Sequence, residues 1–350
     1  MTWLAWRQFR PQAIASAVLL AAVAAVLLIT GVHLEHLYTT YKTDIRTCNA
    51  ISCEGARAKL LDTYQHVRLL GSLLIGLPAV LGLFWGAPLV ARELEHSTHR
   101  LAWTQSVTRT RWLAVKLAVV GLASAVTAGL FSLAISWWAM PYDQVNANHL
   151  SPPIFDQRGI VPIGYALFAF ALGVTAGIVM KRTLPAMMAT LVGFITTRML
   201  TQYLLRPHLF APVRKVLAIS PDLGVGIQRV RDSVKLDFGH PNLHGGWITG
   251  QSLVDAQGHP PTAAFIRTAC GSALRVPPSQ PGSVRVHAGR AARDAFSGCL
   301  QNIGAKYHVV VSYQPNSRFW EFQWAETGLF VGLAVLLALS CVGLVRRRLA

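Results

Sequence analysis

The chain has 350 residues, of which 53% are hydrophobic and only 13% are charged. Soluble domains average about 25% charged residues, so this composition excludes an ordinary soluble protein and indicates a membrane protein. The formal net charge of +17 does not indicate a nucleic-acid-binding protein, because the sequence carries none of the usual motifs of that class.

Several apolar runs are long enough to cross a bilayer, for which about 17 to 25 residues are needed. The first run could alternatively be a signal peptide, but it continues through Ile29 without a polar break. The fourth and fifth runs are separated only by residues 181–185, which predicts a tight hairpin. We predict six transmembrane helices at 13–33, 67–91, 112–139, 160–180, 184–205 and 323–345.

The distribution of Lys and Arg orients these spans. If the N-terminus is cytoplasmic, the inner segments carry many more basic than acidic residues, whereas the short outer segments 34–68 and 140–159 carry balanced charges. We therefore predict a multi-pass membrane protein with both termini in the cytoplasm. Residues 323–350 then form the sixth span and a basic cytoplasmic tail.

The cysteines agree with this orientation. Cys48, Cys53, Cys270 and Cys299 all fall on the predicted outer side, where disulfides persist. Four cysteines allow three connectivities, of which we prefer Cys48–Cys53 with Cys270–Cys299. Cys341 lies inside the last span, where we expect a small buried apolar residue.

Residues 206–322, between spans five and six, are too polar for a simple connector. Strand-like stretches at 283–289 and 306–315 flank a helix-like stretch at 290–304 that ends in Gly304. The expected fold class is thus an all-α polytopic membrane protein with a small α+β extracellular domain inserted between spans five and six.

Charged residues within the spans are scarce. Arg198 is a possible intramembrane polar site, although its side chain can also extend to the outer interface, which we favour. All acidic residues lie outside the spans or at their edges, which argues against an ion-driven carrier.

Pairs of glycines four residues apart occur in two spans. Gly82 and Gly86 lie in the second span, and Gly173 and Gly177 in the fourth. Small residues at this spacing let helix backbones approach each other, so we interpret both pairs as helix-packing positions.

Enzyme signatures are missing from the sequence. It contains no phosphate-binding loop of the G-x-x-x-x-G-K-[ST] type, no H-E-x-x-H and no G-x-S-x-G. His240 and His244 are four residues apart, but Pro241 indicates a turn and no third ligand is in view, so we predict no metal site. The chain is therefore expected to bind no cofactor and to need an external source of energy.

Residues 92–111 form the one substantial loop on the predicted inner side. Its first part, "ARELEHSTHRLAWTQ", has no Pro or Gly, and Leu94, Thr98 and Leu101 share one helical face. This pattern favours a short helix along the inner surface. The alternative is a solvated loop that contacts lipid headgroups.

This loop resembles the cytoplasmic loop of the type-2 export class of ABC transporter permeases. In that family R-E-x-x-x-G-T is followed by P-[VI]-[ST]-R and by a Lys that leads into the third span. The matching residues are Arg92, Glu93, Thr98, Val107, Thr108, Arg109 and Lys116, whereas Ser97 and Ser106 stand where Gly and Pro are usual.

The resemblance implies that the loop forms a coupling helix that docks on a separate ATP-hydrolysing subunit. Residues 1–12 are similar to the amphipathic interfacial helix that lies beside it in the family. ATP and magnesium would be bound by that partner. The implied contact residues are Arg92, Glu93, Leu94, Glu95, Thr98, Arg100 and Leu101.

The resemblance, which is to a bacterial subgroup of the family, further implies an exporter of a small molecule, peptide or lipid in the bacterial plasma membrane. It would be built from two permease copies in a homodimer or heterodimer within the lipid bilayer. A non-transporting membrane sensor or immunity protein that binds a ligand through 206–322 is the alternative. A membrane-embedded hydrolase that uses the outer histidines is a third, weaker hypothesis.

Overall fold

The computed structural model describes most of the chain, and the described residues form two compact units. One unit contains the described residues up to Leu209 and from Arg318 onward, and the other runs from Phe210 to Ser317. The described residues are 2–47, 74–96, 108–145, 149–152, 154–219, 226–230, 233–237, 243, 245–271 and 290–348.

The first unit is helical. Within the described residues, 6 helices are long and apolar enough to cross a membrane, which confirms the predicted number of spans. We call them spans 1 to 6 in chain order. They are Ala17–Thr40, Leu77–Glu95, Arg109–Trp138, Val161–Met180, Thr183–His208 and Asn316–Arg347.

Span 1 belongs to one uninterrupted helix, Thr2–Thr47. Residues 2–12, predicted as an interfacial helix, are the first turns of this helix. Leu27 and Leu34 pack against Phe131 and Ile135 of span 3. The apolar contact attaches span 1 to the rest of the unit.

Span 2 is irregular. A 3₁₀ turn, Leu74–Gly76, leads into the helix Leu77–Leu81, a π turn covers Gly82–Gly86, and an α-helix continues over Ala87–Glu95. Span 3 is one helix, Arg109–Trp138, and the Thr108 side chain caps it by accepting a hydrogen bond from the Arg111 backbone N–H.

Spans 2 and 4 cross at their glycines. A Cβ atom on Gly82 would lie 2.6 Å from the carbonyl oxygen of Ala169, and one on Gly173 would lie 2.5 Å from that of Gly82. A Cβ atom on Gly86 would lie 2.6 Å from the carbonyl oxygen of Phe170, and one on Gly177 would lie 2.8 Å from that of Ala87. The predicted helix-packing role of these glycines is confirmed, since any side chain would separate the two backbones.

Spans 4 and 5 form the predicted tight hairpin. Span 4 ends at Met180, Lys181 adopts a left-handed conformation with φ of 55°, and the next helix begins at Thr183. That helix runs to Leu200 and continues as a π turn, Thr201–Leu205, and a 3₁₀ turn, Arg206–His208.

Span 6 begins with the 3₁₀ turn Asn316–Arg318 and continues as the helix Phe319–Arg348. Its Cys341 is buried, as predicted, and its thiol lies 3.1 Å from the Thr175 hydroxyl of span 4.

The second unit combines helices with antiparallel sheet. Strands β1 (Val213–Leu217), β4 (Trp247–Asp255) and β5 (Tyr307–Gln314) form a three-stranded sheet in the order β1-β5-β4. Strands β2 (Gly226–Val230) and β3 (Ser233–Asp237) form a separate hairpin. The prediction of a strand over 306–315 is confirmed.

Two helices complete this unit. They are Ala263–Ala269 and Arg290–Gly304, and the second matches the helix predicted over 290–304. The predicted disulfide joins Cys270, which directly follows the first helix, to Cys299 within the second, with a Cα–Cα distance of 4.5 Å. Its sulfur atoms lie in a buried cluster with Ile303, Val309 and Val311.

Some predictions fall outside the described residues. These are the Cys48–Cys53 pair, the strand at 283–289 and the histidine pair His240 and His244. They stay predictions.

Candidate functional site

Four of the predicted ATPase-contact residues are described, and they lie at the end of span 2. Arg92, Glu93, Leu94 and Glu95 form the last turn of the helix Ala87–Glu95. They therefore continue the span itself, whereas we expected a separate helix along the surface. The other three predicted residues, Thr98, Arg100 and Leu101, lie outside the described residues.

The helix can continue this far because Glu93 has a partner in span 3. The Lys116 ammonium lies 2.5 Å from a Glu93 carboxylate oxygen, and these side chains are 5% and 15% exposed. Lys116 also donates to the Leu89 carbonyl oxygen, at 3.4 Å, and lies 4.6 Å from the Trp112 ring centroid. A cation placed over an indole face is stabilised further. Spans 2 and 3 are thus joined by a nearly buried ion pair.

Glu95 joins span 2 to span 5. One of its carboxylate oxygens accepts hydrogen bonds from the backbone N–H of Thr183, at 3.1 Å, and from the Thr183 hydroxyl, at 2.8 Å. The first N–H groups of a helix have no partner inside it, and Arg182 at the N-cap position makes no side-chain cap. Glu95 therefore acts as a cap supplied by a neighbouring helix, where a negative charge is favourable.

The remaining two described residues differ in exposure. Leu94 is partly buried and packs against the apolar cluster that contains Trp85 and Val90. Arg92 is exposed. We use the term loop end for this end of the helices, defined by residues 92–95, Lys116 and Thr183.

A second group of polar residues lies among spans 4, 5 and 6. It contains two arginines of span 5, one acidic residue of span 6, a tyrosine of span 4 and an acidic residue that precedes span 4. We call it the charge cluster, and its members are Asp156, Tyr165, Arg198, Arg206 and Glu326.

Arg206 is the centre of the charge cluster. It donates from Nε to Glu326 Oε2 and from Nη2 to Glu326 Oε1, both at 2.8 Å, and Nη2 also bonds to Asp156. Its guanidinium carbon lies 4.5 Å from the Phe155 ring centroid. Paired bonds between a guanidinium and a carboxylate are among the stronger hydrogen bonds in proteins.

Arg198 holds the other oxygen of Asp156. Its Nη2 lies 2.9 Å from Asp156 Oδ2, and its Nη1 donates to the Ile75 carbonyl oxygen at 3.1 Å. The Tyr165 hydroxyl bonds to Glu326 and, at 3.2 Å, to Asp156. All five cluster residues are less than a tenth exposed.

The π turn in span 5 explains how both arginines reach one carboxylate. A π turn contains one residue more in each hydrogen-bonded ring than an α turn. The turn Thr201–Leu205 therefore rotates Arg206 onto the side that Arg198 occupies eight residues earlier. π turns within α-helices occur frequently at functional sites.

Gln323 positions the segment that carries Asp156. Its side-chain oxygen accepts hydrogen bonds from the backbone N–H groups of Ile160, at 2.9 Å, and Val161, at 3.0 Å, and its side-chain nitrogen donates to the Arg158 carbonyl oxygen at 3.0 Å. Gln323 thereby caps the N-terminus of span 4 from span 6.

Comparison with known proteins gives one match. The ABC-2 membrane transporter related family matches residues 17–206, which is more than half of the chain. The chain belongs to this family. No curated protein and no solved structure matches it.

The family match confirms the resemblance stated from the loop: the chain is an ABC-2 type permease. The matched range contains spans 1 to 4, span 5 up to Arg206, and the segment between spans 2 and 3. It therefore includes both arginines of the charge cluster. Together with the six apolar helices, it identifies a multi-pass membrane protein.

In this permease the charge cluster balances two cationic against two anionic side chains. The pKa of Asp156 lies below its ordinary value: burial raises it, but the nearby charges of Arg206 and Arg198 outweigh burial. Asp156 is therefore a carboxylate at neutral pH.

Sequence analysis identified only one member of the charge cluster. The favoured prediction that the Arg198 side chain extends to the outer interface is wrong, because its guanidinium is buried and paired with Asp156. Relative to the predicted spans 160–180, 184–205 and 323–345, the other charged members lie at or beyond a span edge; they are Asp156, Arg206 and Glu326. Arg206 is 50 residues from Asp156 and 120 residues from Glu326 in the chain, so no local sequence pattern links them. The one signal in the sequence is a second arginine, Arg206, directly after the predicted end of the span that carries Arg198.

Within the described residues, no group of three or more His, Cys, Asp or Glu could hold a metal ion.

Proposed function

We propose that this permease is the membrane subunit of an ATP-driven exporter, and that a separate ATPase subunit docks at its loop end. The family supports a transport role, and the resemblance of the loop to a coupling helix supports the docking site. ATP and magnesium would bind to the ATPase subunit.

The observation that carries this proposal is the junction at the loop end. Glu93 joins span 2 to Lys116 of span 3, and Glu95 joins span 2 to Thr183 of span 5. Movement of the segment between spans 2 and 3 would therefore displace three spans together. A mechanical link of this kind is what a permease needs when another protein hydrolyses the ATP.

In the proposed arrangement the loop end faces the cytoplasm and Phe210–Ser317 lies outside. Two permease copies, identical or different, would form the pathway, and closure of the two ATPase subunits would move a small molecule, peptide or lipid outward. Such work requires that the ATPase contacts the permease differently in its two nucleotide states.

Arg92 offers the sharpest test, because it is exposed at the loop end. A charge reversal at Glu93 would instead deprive Lys116 of its partner and disturb the fold. We expect Arg92→Glu to reach the membrane in normal amounts but to lose most of the ATPase that co-purifies with the unmodified chain.

The matched control is Arg214→Glu, which reverses an exposed arginine of β1 in the second unit. It should retain the ATPase and its hydrolysis of ATP. If no protein with a phosphate-binding loop co-purifies with the unmodified chain from native membranes, the proposal is wrong and the sensor hypothesis takes its place.

A further inference from the structure

The charge cluster lies at the end of the helices opposite to the loop end. Span 2 ends and span 3 begins at the loop end, so Asp156, which follows span 3 and precedes span 4, belongs to the other end. Span 5 begins at Thr183 in the loop end and carries Arg206 near its last residue. Span 6 contributes Glu326 from its beginning.

The cluster joins four spans at this end. Arg198 of span 5 bonds to the Ile75 carbonyl oxygen at the start of span 2, and Arg206 bonds to Glu326 of span 6. Tyr165 of span 4 bonds to Glu326 as well. No span of the four can move away at this level without breaking a hydrogen bond to a charged group.

Stability alone does not account for such a cluster. Buried ion pairs lose hydration, and well-packed apolar residues of similar size are often as stable or more stable. Two donors also lack hydrogen-bond partners among the described residues, Arg198 Nε and Arg206 Nη1. Hydrogen bonds between charged groups are directional, whereas apolar contacts are not. They therefore hold the helices in one relative position and break when the helices shift.

We propose that the charge cluster is a latch that holds spans 4, 5 and 6 together in the closed state and opens during each transport cycle. This inference rests on the proposed exporter function, in which cargo leaves at this end. The competing interpretation is a permanent structural link that never opens.

Gly164 and Thr327 provide a way to distinguish a latch that opens from a permanent structural link. Gly164 immediately precedes Tyr165 in span 4, and Thr327 immediately follows Glu326 in span 6. A Cβ atom on Gly164 would lie 3.2 Å from Thr327 Cα and 3.4 Å from Thr327 Cγ2. Cysteines at these two positions would therefore have Cβ atoms near the separation of about 3.5 to 4.5 Å that disulfides require.

The experiment uses the permease purified with its ATPase and carrying Gly164→Cys and Thr327→Cys together. Oxidation should reduce ATP hydrolysis to the background measured in a sample that lacks the ATPase subunit, and a reducing agent should restore it. The single-cysteine variants, oxidised in the same way, should keep full hydrolysis. Undiminished hydrolysis by the cross-linked protein, with the disulfide verified by mass spectrometry, would overturn the latch while leaving the exporter proposal intact.

A second variant covers the case in which the cysteine pair does not fold. Tyr165→Phe removes one hydroxyl from the cluster but no charge, so the latch should open more easily and ATP hydrolysis without added cargo should rise several-fold. Tyr203→Phe, at an exposed tyrosine of span 5, should leave hydrolysis unchanged. No increase for Tyr165→Phe would contradict the latch, and the absence of any co-purified ATPase would overturn both proposals.

Discussion

Glu95, the last residue of the span 2 helix, caps the helix that begins at Thr183 in span 5. Both bonds go to the same carboxylate oxygen, one from the backbone and one from the hydroxyl. The consequence is geometric: the residue at the C-terminal end of the span 2 helix also fixes the start of span 5. The loop is thereby connected to the helix that carries Arg198 and Arg206.

This cap predicts coupling between the two residues. Glu95→Ala and Thr183→Ala should each lower the thermal stability of the permease in detergent, and the double variant should lower it by less than the sum of the two. Residues that share a hydrogen bond are non-additive, whereas distant sites add. Exact additivity in this double-mutant cycle would show that the contact contributes nothing.

The ion pair between spans 2 and 3 predicts that loss of one of its two charges destabilises the protein more than loss of both. Glu93→Ala leaves Lys116 buried without its carboxylate, at a cost of about 3–5 kcal/mol. Replacing both residues with Met removes the buried charges together and should be much milder. Chemical or thermal unfolding of the unmodified protein, the Glu93→Ala variant and the double Met variant tests this order of stabilities. Equal losses of stability in the single and double variants would contradict it.

The glycine crossing of spans 2 and 4 predicts severe effects of very small substitutions. Gly82→Ala and Gly173→Ala each place a Cβ atom within 2.6 Å of a backbone oxygen. Overpacking of this kind typically costs about 1–3 kcal/mol, so both variants should unfold at lower temperature.

Gly328 and Gly332 of span 6 are matched controls, because a Cβ atom on either would lie within 4 Å of no described atom outside its own stretch of helix. Alanine there should be neutral or slightly stabilising, since it favours helix more than glycine does. A loss of stability at Gly328 equal to that at Gly82 would show that the backbone crossing is not responsible.

The features that sequence predicted depend on local patterns. Apolar runs located the six spans, the short separator at 181–185 located the hairpin, and alternation located β5. Glycines spaced four apart in the second and fourth spans predicted a close helix crossing because the spacing itself places them on one face.

The features that sequence did not predict depend on contacts between distant residues. Span 2 continues to Glu95 because Glu93 finds Lys116, 23 residues away, and Glu95 finds Thr183, 88 residues away. The charge cluster likewise depends on the pairing between Arg206 and Glu326. It also depends on the π turn Thr201–Leu205, which the sequence does not reveal. Charges that look like span boundaries can lie inside a protein when their partners are supplied from another helix.

The disulfide of the second unit predicts a measurable loss on its removal. Cys270 and Cys299 are separated by 29 residues, and closing a loop of that size stabilises a fold by about 3–4 kcal/mol in the chain-entropy account. Cys270→Ala with Cys299→Ala should therefore increase proteolysis within 210–317. Cys341→Ala, in span 6, is the control, and an unchanged protease pattern for the double variant would contradict the expectation.

The charge cluster predicts acid sensitivity through Asp156. Its pKa is lowered in the folded protein, because Arg206 and Arg198 outweigh the effect of burial. The stabilisation from the Asp156 carboxylate is complete above the ordinary aspartate pKa of about 3.9. It is lost as the pH falls through the lower pKa of the folded protein.

Thermal stability measured from pH 7 to pH 3 tests this point. The unmodified protein should lose the Asp156 contribution only below about pH 4. Asp156→Asn should be less stable at pH 7 and should lose less on acidification. Parallel pH profiles for the two proteins would contradict the role given to this carboxylate.

Site-specific photo-cross-linking at Arg92 tests the central proposal most directly. A photoreactive residue placed there, and another placed at Arg214 for comparison, would be activated in native membranes. We predict that Arg92 alone forms an adduct with a protein that carries a phosphate-binding loop and hydrolyses ATP. Adducts of that ATPase only from Arg214, or labelling of Arg92 by reagents confined to the cell exterior, would contradict the account.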